Sequence, residues 1–473
     1  MRPESPALVQ GGQVCTYGAL WQEVRRVGSA LQSRIAPGDR MALVMDNSAD
    51  LAVAIYAVWW AGGVVVALNP TLHAVDVDRL VGISEAQEVW RTLPPGAGTD
   101  SPCREVLDHD LAALAFTSGT TGEPKGVMLS HGQLAANVQA IQHALPMSPD
   151  DVTLCVLPFH YAFGGSVLHT HLTLGAALVL ENSLMYPQRI VQRMAEVGAT
   201  HFYGVPSSFY LLLERGRLAD IPLPRLRHVA QAGGAMDAER LDQLQRALPG
   251  VGFWTMYGQT EACARLTTLS PADLTTRRGS VGQALPGISL RIRHADGGDL
   301  PVGSTGEVWA RGPNVMLGYW RSPQDTAQVL QDGWLHTGDI GHLDEDGFLY
   351  LHGRSRDILK VGAHRVSPQE IEHLIQAVPG VRECAVVPLP DPVLGEVVRA
   401  CVVPSADHAG WPSLVKDIQR ACQERLALYK RPKRIDFFDD LPRTASGKVR
   451  KHLIPAPEPT SMTSVQGKAP ASP

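Results

Sequence analysis

Residues Thr117–Gly126, TSGTTGEPKG, place four hydroxyls, three glycines and a single lysine in ten positions. Backbone N–H dipoles, hydroxyls and an ammonium are the groups that wrap phosphate oxygens, and glycine lets the backbone approach without a Cβ in the way. The chemistry this suggests is the handling of a polyphosphate. A loop of the G-x-x-x-x-G-K-[ST] kind is excluded, because Pro124 precedes Lys125, Gly126 follows it, and the next residues, VMLSH, read as a strand and not a helix. The non-functional reading of the stretch is a flexible surface hairpin.

The elements that would position this loop follow from hydrophobic periodicity. From about residue 110 an apolar strand, a Gly- or Pro-marked tip and an amphipathic helix recur, as in DVTLCVLPFHYAFGGSVLHTHL, ATHFYGVPSSFYLLLERG and LRHVAQAGGAMDAERLDQLQRAL. This is the pattern of right-handed βαβ units, in which ligands sit beyond the carboxyl ends of the strands. After Arg277, short β-like runs separated by turns predict an antiparallel, barrel-like subdomain. Beyond Gly353–Asp357, GRSRD, about a hundred residues read as a compact α+β unit. The expected fold class is α/β. A large N-terminal domain (1–353) has βαβ-type sheets and a small β-barrel-like subdomain. A small mobile α+β C-terminal domain (354–455) and a disordered Pro/Ser/Ala-rich tail (456–473) follow.

Composition narrows the partners. A net charge of −5 gives no basic excess for nucleic acid. The seven cysteines lie far apart with no CxxC or Cys/His clustering, which argues for a reducing, cytoplasmic setting and against a zinc site. Leu51–Leu68 is uncharged over eighteen residues, the lower edge of a membrane span. Gly62-Gly63 splits it and no Lys/Arg cluster flanks it, so a buried helix followed by a core strand is expected, with no transmembrane segment.

Five motifs in order, TSGTTGEPKG, YGQTE (Tyr257–Glu261), TGD (Thr337–Asp339), GRSRDILKVGAHRVSPQEIE (Gly353–Glu372) and PRTASGK (Pro442–Lys448), resemble those of the adenylate-forming superfamily. That superfamily comprises acyl-CoA synthetases, luciferases and peptide-synthetase adenylation domains. The resemblance covers nearly the whole chain. It implies ATP-dependent activation of a carboxylic acid to acyl-AMP and pyrophosphate, then transfer to a thiol, most simply CoA. Both reactants of the first step are anionic, so positive charge and oriented donors must offset their repulsion.

By the same resemblance, Thr117, Ser118, Gly119, Thr120, Thr121, Gly122 and Lys125 hold the β- and γ-phosphates. Glu261, with Thr121, holds Mg²⁺, and Thr260 donates to the α-phosphate. Adenine packs against Gly233, Gly234 and Ala235 with Tyr257 on its other face, next to Gly258. Asp339, supported by Arg354, accepts the ribose hydroxyls. Lys448 is the catalytic lysine of the adenylation half, Arg356 the hinge, and Lys360, beside Gly362, lies on the face used in the second half-reaction. Taken singly, Glu261 is a solvated carboxylate, Asp339 a turn residue, Lys360 part of a surface strand and Lys448 an exposed lysine, as Lys430, Lys433 and Lys451 are expected to be.

Three departures qualify the match. LPFHYAFG puts His160 two residues after Pro158 and Tyr161 at the position where many acyl-CoA ligases have histidine, so either could guard the acyl channel; a buried core histidine is the alternative. The motif lacks an aspartate to pair an amino acid's ammonium. Only about forty residues separate ALNPTLHAVDVDRL from the phosphate loop, a shortening expected at a sheet edge. The acid pocket is assigned to His160, Tyr161, Phe163, Tyr203, Val205, Pro206 and Cys263, with Ala235, and suggests an apolar or aromatic acid. Cys263 has no evident activating histidine and reads as pocket lining. The alternatives are an acyl-AMP ligase that loads a carrier-protein phosphopantetheine, with YKRPKR (429–434) as a docking run or a mere solvated face; an amide-forming or oxidative user of the acyl-AMP; and a non-enzymatic nucleotide-sensing scaffold.

Overall fold

The computed structural model describes residues 2–95, 101–118, 124–236, 238–294, 297–354, 359–361, 364–391, 395–405, 411–443 and 449–457. By contacts the chain divides into two units. One comprises Met1–Ser304, Val308–Thr337 and His342–Tyr350; the other comprises Thr305–Glu307, Gly338–Gly341 and Leu351–Pro473.

Two sheets build the first unit. The smaller has the strand order Gly318–Tyr319, Pro124–Ser130, Leu111–Ser118, Val64–Ala67, Arg40–Leu43, Glu88–Trp90. The apolar run that had to be weighed as a membrane span forms the helix Ala49–Trp60 and the strand Val64–Ala67. Ser48 caps the helix by accepting from the Leu51 N–H. Gly62 then takes φ +72°, and a Cβ on Gly63 would sit 2.8 Å from Ile35 Cδ1, so this corner needs both glycines. No helix among the described residues is long and apolar enough to cross a membrane. The connection leaves the three-residue edge strand Glu88–Trp90, which pairs only with Arg40–Leu43 among the described strands, and returns to Leu111–Ser118.

The larger sheet runs in parallel through Ala177–Leu180, Val152–Cys155, His201–Gly204, His228–Gln231 and Gly252–Tyr257. Between them the helices Ala162–Leu174, Pro187–Glu196, Pro206–Glu214 and Ala238–Ala247 make the predicted crossovers. Burial of Phe202, Phe209, Val229, Leu244 and Phe253 in one cluster fixes which faces meet. Thr267–Leu269 and Ser280–Ala284 continue the ladder antiparallel. The short strands expected after Arg277 include Ser289–Arg293, Gly306–Arg311, Trp334–Leu343 and Leu349–Arg354.

In the second unit a long antiparallel pair, Val381–Asp391 with Gly395–Pro404, is flanked by Leu359–Val361 and by Arg434–Phe437, which runs parallel to Gly395–Pro404. The helices Pro368–Gln376 and Trp411–Arg425 bury Ile371, Ile375, Leu414 and Ile418 against this sheet. Arg399 and Asp436 form a buried ion pair at 2.6 Å, which Arg434 also joins at 2.9 Å.

Candidate active site

The phosphate hairpin is zipped to its base: Thr117 lies opposite Lys125 and Ser118 opposite Pro124 in the antiparallel ladder. Gly119, Thr120, Thr121 and Gly122 fall outside the described residues, and Ser118 is placed by its backbone alone. Lys125 Nζ lies 2.6 Å from Asp325 Oδ1 and 5.2 Å from the centre of the Tyr319 ring. Asp325 stands in the first turn of the helix Pro323–Val329, and its hydrogen bond with Lys125 holds its carboxyl below the usual carboxylate range. Tyr319 is fixed by pairing of Gly318–Tyr319 with Pro124–Ser130, where it lies opposite Val127. Its hydroxyl donates to Glu261 Oε1 at 2.9 Å. One tyrosine thus joins the lysine of the first motif to the carboxylate of the second.

The second motif is a tight reversal at the end of Gly252–Tyr257. A Cβ on Gly258 would fall 2.0 Å from the Ala264 carbonyl oxygen, so only glycine fits. Thr260–Ala262 form a single 3₁₀ turn, after which Cys263 and Ala264 both take left-handed backbone, φ +52° and +97°. Two consecutive non-glycine residues in that region are costly and persist only where the surroundings impose them. Here two buried asparagine amides do so. Asn314 Nδ2 donates to the carbonyls of Ala262 (2.9 Å) and Arg265 (3.1 Å), and Asn137 Nδ2 donates to that of Arg265 (2.9 Å).

On the nucleoside side, Gln231 lies opposite Thr255 in the parallel ladder, so the segment Gly233–Ala235 and Tyr257 leave the same edge of the sheet. Gly233 takes φ +87°, and a Cβ on Gly234 would meet Pro206 Cγ at 3.3 Å. Gly233, Gly234 and Ala235 are exposed while Tyr257 is buried, leaving an open backbone face beside a fixed ring. Within the second unit, Arg354 Nε lies 3.1 Å from Asp339 Oδ1, and the Asp339 side chain is 9% exposed.

The residues assigned to the acid pocket separate into two groups. His160, Tyr161 and Cys263 line a cavity of about 80 Å³ together with Trp59, Asn137 and His169. The segment is held by Asn47, whose Oδ1 accepts from the Phe159 N–H and whose Nδ2 donates to the Leu157 carbonyl, both at 2.8 Å. A Cβ on Gly164 would stand 2.1 Å from the Pro158 carbonyl oxygen. Burial lowers His160 to about 4, so it is neutral at physiological pH, and its Nε2 has no hydrogen-bond partner among the described residues. Burial drives the Cys263 thiol far up, which removes it as a nucleophile. Phe163 and Tyr203 instead stand edge to face, 6.4 Å apart, with the Arg265 guanidinium 5.5 Å from the Phe163 ring. Val205 and Pro206 begin the helix Pro206–Glu214 and back the glycine segment.

In the second unit Lys360 is placed by its backbone, opposite Arg365. Arg356, Gly362 and Lys448 lie outside the described residues; Arg443 and Val449 bridge antiparallel. Two of the lysines expected to be free are not. Lys430 pairs with Glu370 at 2.6 Å and Lys451 with Glu372 at 2.7 Å. Arg431 donates to the carbonyls of Leu426 and Gln423, and Arg434 pairs with Asp436, so most of YKRPKR is spent on the unit's own fold.

The described residues hold no cluster of three or more His, Cys, Asp or Glu side chains fit to bind a metal by themselves. A single carboxylate, Glu261, already oriented by Tyr319, suits Mg²⁺, which keeps most of its water and leans on substrate phosphates. Sequence reasoning missed Asn47, Asn137, Arg265, Asn314, Tyr319 and Asp325. Of these only Arg265 had a local signal, a lone charge in the otherwise uncharged ACARLTTL.

Comparison with known proteins identifies the family. The profile of the AMP-binding enzyme family matches residues 1–90 and 74–320, and that of the AMP-binding enzyme C-terminal domain matches 370–448. A feruloyl-CoA synthase from Amycolatopsis sp is 33% identical over 95% of both chains. An indoleacetate–CoA ligase from Aromatoleum aromaticum is 38% identical over 72% of this chain and 65% of its own. Among solved structures, o-succinylbenzoate CoA synthetase (MenE) from Bacillus subtilis in complex with the acyl-adenylate intermediate OSB-AMP superposes with a TM-score of 0.87 at 26% identity, covering 96% of each chain. ATP-bound MatB from Rhodopseudomonas palustris gives 0.87 at 30% identity over 95% of each. The chain belongs to the AMP-binding, adenylate-forming enzyme family and is an AMP-forming acid–thiol ligase of the acyl-CoA synthetase kind.

Proposed function

We propose that this ligase activates an acid with an apolar or aromatic body and hands the acyl group to CoA in a reducing, cytoplasmic setting. The observation that carries the assignment of residues is the Lys125–Tyr319–Glu261 array. Lys125 meets the β- and γ-phosphates with the hairpin hydroxyls, exchanging its contact with Asp325 for one with phosphate. Glu261 holds Mg²⁺ with Thr121, and the ion neutralises charge on the triphosphate. Thr260, first in the 3₁₀ turn, donates to the α-phosphate. Adenine lies between Gly233–Ala235 and Tyr257, and Asp339, steadied by Arg354, accepts both ribose hydroxyls. Lys448 bridges the attacking carboxylate and the α-phosphate. The larger domain, 1–353, binds nucleotide and acid; the smaller, 354–455, turns about Arg356 to bring Lys360 forward for thioester formation.

The neutral His160 and Tyr161, with rings 4.3 Å apart, guard the acid cavity. A carrier protein in place of CoA draws little support, since Lys430, Arg431 and Arg434 already have partners. Seven free thiols, five of them buried, support the reducing setting. The test is a panel of carboxylic acids with ATP and Mg²⁺, following pyrophosphate with and without CoA. Release that stays stoichiometric with enzyme until CoA is added supports the reading. Turnover that requires a carrier protein would replace CoA as the acceptor, and no acid-dependent release across a broad panel would overturn it.

A further inference from the structure

Arg265 is 2% exposed, yet its Nη1 has no hydrogen-bond partner and no carboxylate pairs with it among the described residues. Burial lowers it only to about 10, so the side chain is charged at neutral pH. Its surroundings offer nothing to balance that charge. The guanidinium lies over the Phe163 ring. The nearby Tyr203 phenol is itself pushed up by burial and stays neutral. His171 is lowered to about 4 and hydrogen-bonds Thr153 at 2.9 Å and the Val167 carbonyl at 2.7 Å. Asp151 is taken by Arg227, Thr200 and the Ser148 N–H. A buried cation without a counter-ion is strongly unfavourable, and an anion brought by a ligand would remove that cost.

Its placement is imposed and not incidental. The residue directly follows the two left-handed residues of the Tyr257–Ala264 reversal, and its carbonyl is clamped by Asn137 and Asn314. Asn137 and Cys263 also line the cavity that holds His160 and Tyr161. Arg265 thus follows the turn that carries Glu261 and Cys263, and its carbonyl is held by one of that cavity's lining residues, Asn137.

We propose that Arg265 determines acid specificity, and that the preferred acid carries a second carboxylate at the end remote from the one activated. The inference rests on the acid-pocket reading above. The distal carboxylate would accept from the guanidinium while the apolar body lies along Phe163 and Tyr203. An analogue lacking it leaves the buried cation unmet, and sites built to satisfy a polar substrate group reject analogues without it by large factors.

The experiment uses the full chain with matched pairs of acids of equal length, one member ending in a methyl and the other in a carboxylate, for example hexanoate with adipate and 3-(4-methylphenyl)propanoate with 3-(4-carboxyphenyl)propanoate. Acid-dependent pyrophosphate release gives kcat/KM for each. The expected result is a preference of about 10²-fold or more for the diacid of at least one pair. Arg265→Met should abolish that preference without changing the KM for ATP. Should the variant not fold, the wild-type Tm provides the readout: the diacid should raise it and the monoacid should not. A monoacid preference throughout the panel, equal losses for both members in Arg265→Met, or a shift in the KM for ATP instead would overturn the inference while leaving the ligase reading intact. Pyrophosphate release with no acid at all would remove the ligase reading, and the inference with it.

Discussion

The proposed nucleotide side of the first unit and its proposed acid side handle charge in opposite ways. On the first, the chain answers its own charges: Lys125 by Asp325, and Glu261 by the Tyr319 hydroxyl. On the second, Arg265 is more deeply buried and has no carboxylate partner among the described residues. The difference teaches what each side expects. A site for a polyanion that arrives with its own Mg²⁺ must hold a lysine and a carboxylate close together without collapse, and internal partners that can be exchanged do that. A site that selects a particular acid gains more from a fixed, unanswered donor, because every wrong ligand then leaves it unsatisfied.

The largest effect predicted lies in neither region. Lys448→Ala should cut adenylation by about 10²–10³-fold, as loss of one transition-state donor does, while thioester formation from supplied acyl-AMP persists. A single-turnover assay of each half-reaction separates them, and loss of both would break the assignment. Tyr319→Phe should raise the KM for ATP about tenfold by freeing Glu261, the size of one lost hydrogen bond to a charged group. If the nucleotide side is pre-paired as described, Asp325→Asn should shift the same KM only a few-fold, since it removes a competitor for Lys125 as well as a partner.

Burial also sets how the fold responds to acid. His160, His169 and His171 are each lowered to about 4 from an ordinary 6.5, because burial disfavours the imidazolium. In the unfolded chain they bind protons near 6.5; in the folded chain they refuse them down to about 4. The unfolded state thus holds more protons in that window, and stability falls as pH is lowered from about 6.5 toward 4. Thermal denaturation across this range should show Tm dropping with pH. His160→Gln, which removes one of these groups, should flatten the slope; an unchanged slope would contradict the neutral, buried reading of that ring.

Local rules made much of the scaffold legible. Gly62-Gly63 broke the apolar run where they should, VMLSH gave a strand after the phosphate loop, and strand–helix alternation located the parallel sheet. What stayed hidden was contact between distant segments. Asp325 lies two hundred residues from Lys125, and Tyr319 reaches Glu261 only because Gly318–Tyr319 adds an edge to the hairpin. Asn47, Asn137 and Asn314 do their work on backbone carbonyls and amides, which leave no spacing in the sequence. Arg265 stayed hidden for a related reason: its meeting with the Phe163 ring joins segments about a hundred residues apart.

The division of labour between the two sides is tested most directly by acid-dependent ATP–pyrophosphate exchange in Tyr319→Phe and Arg265→Met measured side by side. The account predicts a crossed result: the first variant raises the KM for ATP and leaves that for the acid, and the second does the reverse. Both variants moving the same constant would contradict it.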